Sequence, residues 1–135
     1  MFGKKEHSAI KTLVAQGTRI DGNMKFEDGL RVDGEVYGSI SARSDGGLLV
    51  ISEGAVVDGG LTADHIIING TVKGPVEARE SLELLPKAKV EGDVQYTALQ
   101  MHQGATIFGR LRPLASATTA SEDEKAPFRV VAKSA

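Results

Sequence analysis

Three histidines, His7, His65 and His102, are the residues of this 135-residue chain best suited to gripping a metal. A zinc site needs three or four such side chains converging on one ion at roughly 2 Å. These do not converge. His7 lies in a terminal stretch. His65 and His102 fall in different units of a repeating pattern, two strand layers apart at about 4.8 Å per layer. Two acidic pairs, Asp58/Asp64 and Glu80/Glu83, have the residue type for acid–base work or cation binding. Neither comes with a clustered partner or a cleft, so both read as charged outer faces. Gly34 and Gly38 resemble the start of a phosphate loop, but no helix follows to offer its N-terminus to an anion. No nucleophile stands beside a base. No catalytic, metal-binding or cofactor-binding residue is expected, and the chain reads as a non-enzyme.

The elements carrying these residues are short and repetitive. Six turns align as "RIDGNM" (19–24), "EVYGSI" (35–40), "VVDGGL" (56–61), "TVKGPV" (71–76), "KVEGDV" (89–94) and "TIFGRL" (106–111). Each has an aliphatic residue two before a glycine and another, or Met, two after it. The glycines are 22, 38, 59, 74, 92 and 109. Apolar bursts such as "LRVDG", "LLVISEG" and "IIING" lie between them. The unit is about 17 residues long and its period slips, as self-stacking repeats do. Residues on one parity, for instance Val32, Val36 and Ile40, share one side of extended chain. One such coil buries too little to offset its own ordering, so coils must stack into a column. The prediction is an all-β fold, a parallel β-helix of about six rungs. A left-handed hexapeptide helix would need an aliphatic residue every six positions. The aliphatics at 32, 36, 40, 48, 50, 56 and 61 keep no such beat, which favours a right-handed coil with variable corners.

Composition narrows the function. The chain has no Cys, so it makes no disulfide, in keeping with a reducing compartment. No apolar run reaches the roughly 18 residues of a membrane span, and no apolar segment follows Lys4 and Lys5 to make a secretory signal. Aromatics are 4% and Trp is absent, with a net charge of −2. Nucleic-acid binding, which favours a basic face and stacking rings, is not expected. Residues 17–114 hold ten basic and fourteen acidic groups, whereas residues 1–16 hold three lysines against Glu6. The expected layout is an N-terminal arm (1–16), a β-helix (17–114) and a disordered small-residue tail (115–135).

The run "DGNMKFEDGLRVDGEVYGSI" (21–40), with "ISEGAVVDGGL", "ADHIIINGTVKGPV" and "VEGDV" after it, resembles the bactofilins, bacterial polymer-forming cytoskeletal proteins. "G-T-x-I-x-G" at 17–22 followed by "L-R-V-D-G-E-V-x-G" at 30–38 is its most specific part. The resemblance covers positions 17–114. It implies a right-handed β-helix that self-assembles without nucleotide, association with the inner face of the cytoplasmic membrane, and scaffolding of client proteins, often cell-wall enzymes. The segment "ARSDGGLL" (42–49) departs from it by lengthening one corner, and is expected to be a surface bulge.

The column's two ends are the candidate contact surfaces. Ile107, Phe108 and Leu111 are placed on the last rung, with no obvious cap after Pro113. Ile20, Met24 and Phe26 are placed on the first. "SAIKTLVAQG" (8–17) fits either a short helix with Ile10, Leu13 and Val14 on one face or a strand over the first rung. Met1, Phe2, Lys4 and Lys5 are the candidate membrane contacts: each lysine is worth about 1 kcal/mol on an anionic leaflet. Such a weak anchor suffices when a polymer presents many copies. Two other readings compete, a trimeric left-handed β-helix enzyme of the acyltransferase or carbonic anhydrase kind, and a monomeric binding solenoid.

Overall fold

The computed structural model describes residues 10–43 and 46–114. All regular elements among them are β-strands, every pairing is parallel, and each turn of the chain contributes three strands. The first rung is β1 (Ile10–Val14), β2 (Arg19–Asp21) and β3 (Met24–Phe26). The second is β4 (Gly29–Val32), β5 (Glu35–Tyr37) and β6 (Ile40–Ala42). The third starts with β7 (Leu48–Ile51) and β8 (Val56–Asp58). Three longer strands, β9 (Leu61–Ile68), β11 (Val76–Leu84) and β13 (Val94–Met101), each finish one rung and open the next. Between them lie β10 (Thr71–Lys73) and β12 (Lys89–Glu91), and β14 (Thr106–Phe108) and β15 (Leu111–Pro113) close the sixth rung.

The result is a three-faced solenoid. Face 1 stacks β1, β4, β7 and the second halves of β9, β11 and β13. Face 2 stacks β2, β5, β8, β10, β12 and β14. Face 3 stacks β3, β6, the first halves of β9, β11 and β13, and β15. Six rungs at about 4.8 Å give a column near 29 Å tall. The strand at 10–14 settles the two readings of the N-terminal stretch in favour of a strand over the solenoid's start, ahead of residue 17.

Register turns the parity pattern into ladders. On face 2 one inward column runs Ile20, Val36, Val57, Val72, Val90, Ile107. On face 1 another runs Leu30, Leu49, Ile66, Leu82, Leu99. On face 3 a third runs Met24, Ile40, Leu61, Val76, Val94, Leu111. The members from the middle rungs are fully buried. Each is worth about 1.5–3 kcal/mol when covered, and covering is supplied by the rung on either side.

The corners are set by what the backbone can approach. Between faces 2 and 3 stand the six glycines of the aligned turns. A side chain at Gly92 would meet the carbonyl oxygen of Gly74 at 2.7 Å, and one at Gly38 would overlap the Gly22 carbonyl. Only a residue without Cβ lets successive rungs close to sheet distance there. Between faces 1 and 2, four-residue turns closed by Thr18→Ala15, Ala55→Ser52, Ala88→Leu85 and Ala105→His102 amide-to-carbonyl bonds interleave with two-residue corners at Asp33–Gly34 and Asn69–Gly70. The third corner lies between face 3 and the next rung's face 1, and the lengthened segment between β6 and β7 falls partly outside the described residues. The Leu48 amide there donates to the Asp28 carbonyl at 2.9 Å.

Candidate assembly interface

The two ends differ from the middle in the same way. A middle strand bonds to a rung on each side. Each first-rung strand has one neighbour: β1 pairs only with β4, β2 with β5 and β3 with β6. At the far end β14 bonds only to β12 and β15 only to β13. The unmatched edges carry backbone donors and acceptors, the usual template for adding another chain.

The core opens at these edges. Ile20 and Met24, expected at the first-rung surface, are half-buried members of the inward ladders, while Val14 and Phe26 of the same rung are buried. At the last rung Leu99, Met101 and Leu111 are likewise half-buried, while Ile107 is 5% exposed. Of the side chains that pack on the core without being covered by it, nearly all come from the last two rungs or the first. Among the described residues no element lies across either end.

Phe108 sits differently from its neighbours. It occupies the outward column of face 2, which reads Asp21, Tyr37, Asp58, Lys73, Glu91, Phe108, and is 63% exposed. Its ring therefore stands on the rim of the last rung, beside buried Ile107 and half-buried Leu111. Five polar or amphipathic residues precede it in that column. Met1, Phe2, Lys4 and Lys5, the candidate membrane contacts, lie outside the described residues, as does His7.

The residues considered for chemistry are dispersed. His65 Nδ1 is 2.9 Å from Ser81 Oγ on the adjacent strand, and His102 Nε2 is 2.9 Å from Glu83 Oε2. His65 lies on face 1 in β9 and His102 in the corner just after β13, two rungs apart, and they share no partner in these contacts. Among the described residues no three His, Asp or Glu side chains are grouped to hold a metal ion. Asp58 lies in the outward column of face 2, whereas Asp64 lies at the third corner, so the pair is not brought together. Gly34 and Gly38 occupy two different corners.

Asp64 has a partner set that spacing did not reveal. It is 7% exposed, receives the Gly46 amide from the lengthened corner, and receives Arg79 Nε at 2.7 Å. Burial pushes its pKa up, but the Gly46 amide and the Arg79 guanidinium outweigh burial and hold it below the usual carboxylate value. Thr97 Oγ in turn donates to the Arg79 carbonyl at 2.7 Å. The lengthened corner is thus stitched to two later rungs. On face 2, Arg19 lies 4.4 Å from the Tyr37 ring centre. Glu35 beside that ring raises the phenol's pKa.

The sequence that builds this column matches the family model described as polymer-forming cytoskeletal, bactofilin, over residues 12–112. The chain belongs to the bactofilin family. It is 27% identical over 100 residues to bactofilin BacP of Myxococcus xanthus (strain DK1622), an alignment covering 74% of this chain and 40% of BacP. It is 24% identical over 110 residues to bactofilin BacO of the same organism, covering 82% of this chain and 85% of BacO. This bactofilin chain thus spans well under half of BacP and most of BacO. No solved structure matches it.

Proposed function

We propose that this bactofilin is the subunit of a cytoskeletal scaffold that grows by end-to-end stacking of solenoids, without nucleotide. The supporting observation is the pair of ends left uncovered among the described residues: unmatched strand edges around half-buried aliphatic side chains, at Ile20 and Met24 on one side and at Leu99, Met101 and Leu111 on the other. A solenoid in isolation needs polar caps at these places. Stacking a second copy supplies the missing rung and the missing hydrogen bonds together. We read the coil as right-handed, since its variable corners lack the six-residue beat of the left-handed form.

The scaffold is held on the inner face of the cytoplasmic membrane by the arm, through Met1, Phe2, Lys4 and Lys5, and positions client proteins of cell-wall or shape-determining activity. Each arm binds weakly, and the polymer multiplies it. The decisive experiment is negative-stain microscopy of the purified full chain without nucleotide. Filaments or sheets are the expected result. A monodisperse monomer at all protein concentrations overturns the reading in favour of a monomeric binding module. A discrete trimer overturns it in favour of the enzyme reading.

A further inference from the structure

The three outer faces of the solenoid are unequal. On face 1 the outward register columns read Leu13, Arg31, Val50, Ile67, Glu83, Gln100 and Ile10, Gly29, Leu48, His65, Ser81, Ala98. Rungs one, three and four therefore present aliphatic side chains to the outside. Ile10 and Leu13 are 42% and 55% exposed, and Leu48, Val50 and Ile67 are half-buried. Outward positions on face 2 instead carry mainly Arg, Glu, Asp, Lys and Thr, and on face 3 Lys25, Ser41, Thr62, Glu77, Gln95 and Arg112.

We propose that this aliphatic patch is a lateral contact, seating the same face of a second copy in a neighbouring polymer. Three observations select that occupant. The charges around the patch are matched within the chain: Arg31 Nε is 2.9 Å from Asp33 Oδ1 and Lys11 Nζ is 2.9 Å from Asp28 Oδ2. The patch thus offers no surplus positive charge for an anionic membrane. Its side chains stand in two rows at strand spacing, a shape matched by another sheet face of the same spacing. Its size also fits a polymer rather than a dimer. Four strands by two side-chain rows cover about 200 Å², against about 800 Å² per partner in a stable complex. One patch is too small to pair free subunits. A stacked column repeats it every six rungs, and the contacts then act together. The patch also reaches the first rung, so it is continuous with the proposed stacking surface at Ile20 and Met24.

The inference rests on the stacking reading, and the test separates the two. Full-length wild-type chain and the Val50→Glu and Ile67→Thr variants are spun first at low speed, which pellets bundles, and then at high speed, which pellets single filaments. The expected result is that both variants lose the low-speed pellet and keep the high-speed one, with single filaments in the microscope. Ile67→Thr keeps a β-branched residue, which guards against misfolding. A second measurement uses the absence of cysteine from the chain. Val50→Cys polymers treated with a bismaleimide of about 10 Å reach, the distance between packed sheets, should give cross-linked dimers. Lys73→Cys polymers, altered on face 2, should not. Bundles that persist in both variants, or equal cross-linking at the two positions, overturn the lateral contact and leave stacking intact. Loss of liposome binding with bundles unchanged overturns it in favour of a membrane surface. Wild-type chain that yields no polymer at any speed sinks both readings together.

Discussion

Replacing Phe108 by Arg separates folding from assembly, because the ring stands outside the core. It is 63% exposed in the isolated subunit. A fully covered Phe buries about 150–250 Å², so about 100–150 Å² remains available to a neighbouring subunit. At about 25 cal/mol per Å², covering that area contributes about 3 kcal/mol to each contact. Losing it raises the critical concentration for assembly by about a hundredfold, before any penalty for desolvating the guanidinium. Folding suffers little. Phe108 pairs in register with Glu91 on the adjacent strand, so the arginine gains an opposite charge across the ladder, worth roughly 0.2–1 kcal/mol. The measurements are circular dichroism, for a retained β signal, and sedimentation across a protein dilution series. An unchanged critical concentration in a β-rich Phe108→Arg protein refutes the reasoning and moves stacking away from the rim of the last rung.

Three further outcomes are expected. Gly92→Ala should lose about 2–4 kcal/mol, since its Cβ meets the Gly74 carbonyl and its φ of 135° suits no other residue. Gly54→Ala, with φ 91° and nothing within 4 Å, should lose about 1–2 kcal/mol. Urea melts in the non-polymerising background compare them, and equal losses would show that rung spacing at the glycine corner is slack. Asp64→Asn should destabilise by about 1–3 kcal/mol at neutral pH. Because the folded pKa of Asp64 is depressed, its contribution is complete above the unfolded value of about 3.9 and is lost as pH falls through the folded value. Wild type and Asp64→Asn should therefore converge in acid, and a gap that stays constant below that range contradicts the ion-pair account. Deleting residues 1–7 should leave assembly unchanged and reduce co-sedimentation with anionic liposomes, and undiminished pelleting would remove the arm as anchor.

The fold was legible wherever one rung repeats the next. Gly22, Gly38, Gly59, Gly74, Gly92 and Gly109 aligned in sequence because a single steric demand, rung against rung, recurs at one corner. Val32, Val36 and Ile40 disclosed the inward parity because polar residues alternate with them. The same reasoning was blind where both parities are aliphatic. In "LLVI" and "III", Val50 and Ile67 look like core residues, and only register shows that they face outward. The stretch 8–17 stayed open because Ile10, Leu13 and Val14 satisfy a helical spacing, and the bonds to β4 that decide it are not local. The meeting of Gly46, Asp64 and Arg79 was hidden for a related reason. It depends on vertical stacking of residues 18 and 15 positions apart, across a corner whose length is irregular. Phe108 was placed on the last rung by the aligned turns, but its sideways position on the rim needed the register.

The unmatched strand edges imply a pattern of solvent exchange. In parallel strands the backbone amides point alternately to the two neighbours. Gly22 and Met24 donate forward, to Tyr37 and Ser39 of the second rung, while the alternate amides of the first rung face away from the column. At the other end His102, Thr106 and Leu114 donate back, to Leu84, Ala88 and Tyr96. A lone subunit should therefore show slow amides through its middle rungs and an alternating slow–fast signature at each terminus. Joining two subunits turns the fast set slow and leaves the middle as it was. Deuterium uptake at the first and last rungs thus counts occupied joints directly, without an image of a filament.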